Sequence, residues 1–225
     1  IPIFIKIVKI GVLAGFQGII FSLSNVIIQS AINSFGANIV AANSAAANLE
    51  GFVYIAMNGF SQGSLTFVSQ NLGAQKYDRI KKSVGISLLC ILIVGLLLGN
   101  IIVLFGESLL QLYSKSPIVI DYGMNRLKII SSTFVLCGLM DAMGNIIRGL
   151  GRSFLPMIIT LIGACGVRIL WLQTIFTIPQ FHTCKMIYIS YPVSWILTFI
   201  ALLVSYFLIV RKWKLRPCIE KDSVI

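Results

Sequence analysis

The stretch from Val84 to Phe105 contains no charged residue and little that is polar. A helix needs ~20 such residues to cross the ~30 Å hydrocarbon core of a bilayer, so this run alone nearly dictates a transmembrane helix. Five more long apolar runs accompany it, over 10–35, 40–72, 122–147, 154–178 and 186–210. Of the 225 residues, 57% are apolar and 11% are charged, and the mean hydropathy is +0.94. A soluble domain has ~45–50% apolar and ~25% charged residues, so this chain cannot clothe itself in polar surface. The same numbers exclude disorder, a collagen repeat and a small disulfide scaffold. The apolar runs are continuous and do not alternate every second residue, which argues against a membrane β-barrel. The expectation is an all-α polytopic membrane protein with six transmembrane helices.

The charges set the topology. Eighteen Lys and Arg stand against seven Asp and Glu, for a net charge of +11. Binding to nucleic acid would be one use of such a chain, but in a membrane protein basic residues collect in cytoplasmic loops, and that reading excludes a nucleic-acid partner. With six spans, Lys6, Lys9, Lys76, Arg79, Lys81, Lys82, Arg148, Arg152, Arg211, Lys212, Lys214, Arg216 and Lys221 fall on one side. Lys115, Arg126, Lys128 and Lys185 fall on the other, and Arg168 lies inside the fifth span. Thirteen against four predicts that both termini are cytoplasmic, with a basic loop at 75–83 and a basic tail at 211–225. Leu109, Leu110, Leu112 and Tyr113 predict a short helix over 107–116 lying in the outer interface. The chain begins at Ile1 and no cleavable signal peptide is visible, so it is expected to be a fragment or one half of a longer protein.

Two spans are too polar to face lipid all round. Asn25, Gln29 and Asn33 recur every four residues and share one face of the first. In the second, Asn43, Glu50, Asn58 and Ser61 fall within a sector of roughly 80°. An amide facing lipid costs several kcal/mol, so both faces point at protein or at water. Helix–helix hydrogen bonding with close packing at Ala41, Ala42, Ala45, Ala46 and Ala47 is one solution; a water-filled cavity is the other, and two adjacent polar spans favour it.

Ionisable residues inside a span are functional candidates, because each costs roughly 2.5–3.5 kcal/mol or more to insert. Glu50, ~15 Å into its span, is expected to be protonated or paired with a cation. Asp141 sits in a polar stripe with Thr133, Cys137 and Asn145. An Asp beside an amide and a hydroxyl supplies oxygens for a hard cation such as Na⁺, or a site for H⁺. Arg168 is a candidate ion-pair partner for Asp141 or Glu50, and Trp171, one turn away, could stack on it. The five cysteines form no CxxC pair, His182 is expected to be solvated in a short outer loop, and no phosphate loop, nucleophile motif or metal-ligand cluster is present. No cofactor is expected, enzyme chemistry has no support, and transport would draw on an ion gradient.

Several motifs together resemble one family. Ser69-Gln70-Asn71-Leu72-Gly73-Ala74, followed by Lys76-Tyr77-Asp78-Arg79, resembles a helix end and cytoplasmic loop of the MATE (multidrug and toxic compound extrusion) transporters. Ile147-Arg148-Gly149-Leu150-Gly151-Arg152, after the Asp141 helix, resembles that family's second cytoplasmic signature, and Gly36 to Gly51 also matches. Arg168-Ile169-Leu170-Trp171 and Tyr191-Pro192-Val193-Ser194-Trp195 look like the Gram-positive, clostridial-type branch. MATE proteins have two lobes of six helices, each with one copy of these signatures. One copy here implies a single lobe; the carboxylates in the second and fourth spans and the basic tail resemble the C-terminal one, with the N-terminal lobe as its missing partner.

By this resemblance, Glu50 and Asp141 would couple Na⁺ or H⁺ to transport. Asn25, Gln29, Asn33, Asn43, Asn58 and Asn145 would line the cavity. Small, cationic organic molecules would be exported across the plasma membrane. A related lipid-linked oligosaccharide flippase would want a cationic groove, for which Arg168 is the one buried candidate; a non-transporting membrane subunit and a small channel are the other rivals.

Overall fold

Each apolar run ends where the sequence demands an irregular backbone. Gly36 takes φ +98°, a left-handed conformation that costs glycine little, and it separates α1 (Pro2–Asn33) from α2 (Ala37–Gly73). A tight turn through Gln75, itself left-handed at φ 56°, leads into α3 (Tyr77–Leu104). The short α4 (Gly106–Gln111) comes next, and Pro117, whose fixed φ suits a first helical position, opens α5 (Pro117–Gly149). Gly151, at φ +78°, turns the chain into α6 (Phe154–Thr174), and a single 3₁₀ turn (Pro179–Phe181) precedes α7 (Cys184–Ile219). The computed structural model describes residues 2–219, and side chains continuously over 18–211. Lys6, Lys9 and the expected tail beyond Arg211 therefore lie outside the described side chains.

The all-α fold stands as expected. Among the described residues, α2, α3, α5, α6 and the Cys184–Arg211 part of α7 are long and apolar enough to cross a membrane, and α1 adds a shorter apolar stretch, Gly18–Asn33. The turns differ from the sequence expectation in detail. The basic loop expected at 75–83 is a tight turn, and Arg79, Lys81 and Lys82 ride on the opening turns of α3. The helix expected over 107–116 spans Gly106–Gln111, and α5 starts at Pro117, five residues before the expected span.

The centre of the lobe is α5, which packs against α2, α3 and α7, while α1 and α6 close one flank. Val53, Met57, Ile91, Leu127, Ile130, Met143 and Ile146 are buried between them. The α3–α5 contact is close enough that a Cβ on Gly99 would strike the backbone carbonyl of Ser131. Facing outward, Ile86, Leu89, Ile93, Leu97 and Ile101 of α3 and Ile196, Ile200, Val204 and Phe207 of α7 present exposed apolar stripes at helical spacing, suited to lipid.

One helix is irregular. In the middle of α6, Leu161–Gly166 is π-helical, and Gly163 lies directly against Thr198 of α7. Such bulges shift the phase of a helix and recur at functional sites. The close α3–α5 contact is directly testable. Gly99→Ala should lower the thermal midpoint in detergent, at a cost of about 1–3 kcal/mol for the overpacked contact. Gly85→Ala, on the same helix but with open space around it, should leave the midpoint unchanged or raise it.

Candidate functional site

The buried residues of α2 include Ile39, Asn43, Ala46, Glu50, Val53, Met57, Ser61, Ser64 and Val68, one face at intervals of three and four. This face carries Asn43, Glu50, Ser61 and Ser64, so the polar side of α2 is turned into the lobe, against α5. Asp141 and Asn145 of α5 meet it, and so does a residue that sequence reasoning misses, Arg126.

Hydropathy and loop charge place Arg126 in the outer loop. It is instead 5% exposed and paired with Glu50, itself 4% exposed. Nε of Arg126 donates to Oε1 of Glu50 at 3.0 Å and Nη2 to Oε2 at 2.6 Å, a bidentate fork. Nη1 donates to Oδ1 of Asn43, whose Nδ2 donates to Oε1 of Gln29 at 3.0 Å, and Nε2 of Gln29 donates to Oδ1 of Asn33 at 2.9 Å. The rings of Tyr188 and Tyr191 lie 5.5 and 5.9 Å from the guanidinium. Arg126 escapes the sequence reading because hydropathy puts the span start at Tyr122. The Ser116-Pro117 pair is the signal that starts the helix earlier, which puts Arg126 nine residues in, or ~13 Å along the axis.

A second cluster lies at the other end of α5 and reaches Arg148, just before the Gly149–Gly151 turn. Oγ of Ser61 donates to Oδ2 of Asp141 at 3.0 Å, Nδ2 of Asn145 donates to Oγ of Ser61 at 2.7 Å, and Nη1 of Arg148 donates to Oδ1 of Asn145 at 2.6 Å. Asp141 and Arg148 both line a cavity of about 540 Å³ between α1, α2, α5 and α6, walled also by Asn25, Tyr54, Cys137 and Thr160. Chemically this is a carboxylate in a partly apolar pocket that holds one hydroxyl donor and faces open space. Asp141, Ser61 and Asn145 offer oxygens of the kind a hard cation takes, but Arg148 already occupies the Asn145 oxygen. Among the described residues, no group of three His, Cys, Asp or Glu could hold a metal ion.

The remaining sequence candidates separate. The expected ion pair of Arg168 with Glu50 or Asp141 is replaced by other contacts, because Arg126 has taken Glu50. Nε of Arg168 donates to Oγ of Ser194 at 2.9 Å, and its guanidinium lies 4.2 Å from the Tyr191 ring and 5.6 Å from Trp195. Trp171 does not stack on it; its Nε1 donates to the Met186 carbonyl at 3.0 Å. Asn58 is half-buried, with a buried Oδ1 that lacks a partner among the described residues. His182 is exposed as expected, but its ring packs 4.2 Å from that of Phe176 and its Nδ1 contacts the Phe176 carbonyl.

The Glu50–Arg126 pair can be tested by a mutant cycle. Arg126→Met should cost about 3–5 kcal/mol, since it strands a buried carboxylate, and Glu50→Gln with Arg126→Met together should recover part of that loss. Thermal unfolding of the four variants in detergent measures both terms.

Comparison with known proteins sets this geometry in context. The chain is 22% identical over 212 residues to the probable multidrug resistance protein YoeA of Bacillus subtilis, covering 93% of this chain and 45% of that one. It is 30% identical over 117 residues to an FAD transporter of Shewanella oneidensis, covering 52% and 26%. Its fold matches the bent form of the Vibrio cholerae MATE transporter VcmN with a TM-score of 0.80 at 20% identity, over 90% of this chain and 46% of that one. The chain thus spans half or less of the length of these relatives. The family model described as MatE matches residues 14–172, most of the sequence, and the chain belongs to this family, the MATE transporters.

Proposed function

We propose that this chain is the C-terminal six-helix lobe of a secondary active exporter of small organic molecules, coupled to an ion gradient through Asp141. The observation that carries the reading is Asp141 itself: a carboxylate inside a membrane span, with one hydroxyl donor at 3.0 Å, on the wall of a 540 Å³ cavity. A carboxylate in such a place holds either a proton or a cationic cargo, and holding one excludes the other. Exchange results if the cavity opens to alternate sides as two lobes rock about a central site. Cationic organic molecules suit the charge of Asp141, and Tyr54, Phe21 and Met140 supply an apolar wall to them.

The reading favours H⁺ over Na⁺ as the coupling ion, since Arg148 sits on the Asn145 oxygen that a bound Na⁺ would need. It also favours Asp141 over Glu50, since both Glu50 oxygens are held by Arg126. An N-terminal lobe would cover the polar side chains left exposed here, including Asn25, Asn33, Asn48 and Gln62. The charge asymmetry of the loops favours a plasma-membrane orientation with both termini cytoplasmic.

The test is efflux of ethidium by cells carrying the full-length protein. Asp141→Asn should reduce efflux at least tenfold, worth about 1.4 kcal/mol or more, at normal membrane levels. A protonophore should abolish wild-type efflux, and collapse of the Na⁺ gradient alone should not. Wild-type efflux in Asp141→Asn would overturn the assignment.

A further inference from the structure

Among the described residues, the interior of the lobe does not balance its charges. Glu50 is neutralised by Arg126 through both oxygens. Asp141 belongs to the Ser61–Asn145–Arg148 cluster. Arg168 is 3% exposed and has no carboxylate within ion-pair distance among the described residues, where Glu50–Arg126 and the surface pair Lys81–Asp78 are the salt bridges formed. Its Nε is satisfied by Ser194, but neither Nη finds a hydrogen-bond partner among the described residues. The guanidinium therefore offers the free edge of its fork, the edge that matches an oxyanion bidentately.

The surroundings hold that fork in place without discharging it. Tyr191 is flanked by two guanidiniums, that of Arg168 at 4.2 Å and that of Arg126 at 5.9 Å. Trp195 lies 5.6 Å from Arg168 and packs edge-on against both Tyr191 and Phe134. Ring faces ease the burial of a cation, yet they supply no negative charge. An arginine locked by a serine and two aromatic rings, inside a membrane span and with no counter-ion among the described residues, is a preorganised receptor for an anion.

We infer that Arg168, with Ser194, Tyr191 and Trp195, forms a subsite for an oxyanion carried by the exported molecule, distinct from the Asp141 cavity. The ligand class is an organic carboxylate or phosphate ester, so the lobe would accept anionic and zwitterionic cargo and not cations alone. The inference rests on the transporter reading for the word cargo, but the binding it asserts does not depend on coupling through Asp141.

The experiment is isothermal titration of the purified full-length transporter in detergent with sodium benzoate, sodium phosphate, benzyl alcohol and tetraphenylphosphonium chloride. The wild type should bind benzoate saturably and benzyl alcohol not at all. Arg168→Gln should weaken benzoate at least tenfold while leaving tetraphenylphosphonium unchanged, and Asp141→Asn should leave benzoate unchanged. Should Arg168→Gln fail to fold, Arg168→Lys keeps the charge without the fork, and benzoate should weaken at least threefold. Phosphate binding with the same dependence on Arg168 would point to phosphate esters as cargo; Arg168-dependent benzoate binding with no phosphate binding would point to carboxylates. Absence of saturable oxyanion binding by the wild type, as when a carboxylate of the other lobe fills the fork, overturns the inference, and so does benzoate affinity that is equal in the wild type and the Arg168 variants. Loss of efflux coupling in Asp141→Asn leaves this result untouched, so the two readings fail separately.

Discussion

Glu50 and Arg126 are both removed from solvent, and neither could occupy its place without the other. A lone charge in a span is costly, while a bidentate pair with its remaining donor satisfied is tolerated. The pair fixes the register of α2 against α5, and the third branch of the guanidinium extends the contact through Asn43 to Gln29 of α1. Tyr188 and Tyr191 bring α7 to the same guanidinium. One side chain thus gathers four helices in a medium where apolar association alone gives little preference among neighbours. The rest of the polar interior is arranged around that fixed point.

The pair also divides the labour between the two carboxylates. Glu50 has both oxygens engaged and is built into the frame, whereas Asp141 has one hydroxyl donor and open space beside it. Two acids of nearly the same chemistry are separated by what their partners leave free. The same reasoning separates the arginines: Arg126 is consumed by the frame, and Arg168, held by Ser194 and aromatic faces, is not.

Much of the fold is legible in the sequence because a bilayer leaves few choices: an apolar run long enough to cross must be a helix, and Gly36, Pro117 and Gly151 mark where helices stop and start. Asn43, Glu50 and Ser61 are readable as one buried face from spacing alone. What spacing cannot give is which helix stands opposite. Arg126 and Glu50 are 76 positions apart, and their meeting depends on packing that one sequence does not reveal. Asn25, Gln29 and Asn33 do share a face, yet the structure divides them, Asn25 to the Asp141 cavity and the other two to the Arg126 network, because the face is long enough to pass both clusters. The depth of Arg168 in its span suggests an acid's partner; its real neighbours, Ser194 and Tyr191, are uncharged and carry no such signal.

The π-helical segment of α6 makes spacing itself a carrier of information. Thr160, just before it, lines the Asp141 cavity, while Arg168, just after it, faces Tyr191 and Ser194 on α7. Every residue gained or lost in a helix turns the remainder of that helix by about 100°. Inside Leu161–Gly166 the wider π turn absorbs one extra residue, so a deletion there would relax the segment to a regular α-helix, whereas the same deletion in the regular turn just after it would swing the guanidinium off its aromatic seat. In this helix the place of a single-residue deletion matters more than its identity, because the π segment can take it up and the regular turns on either side cannot.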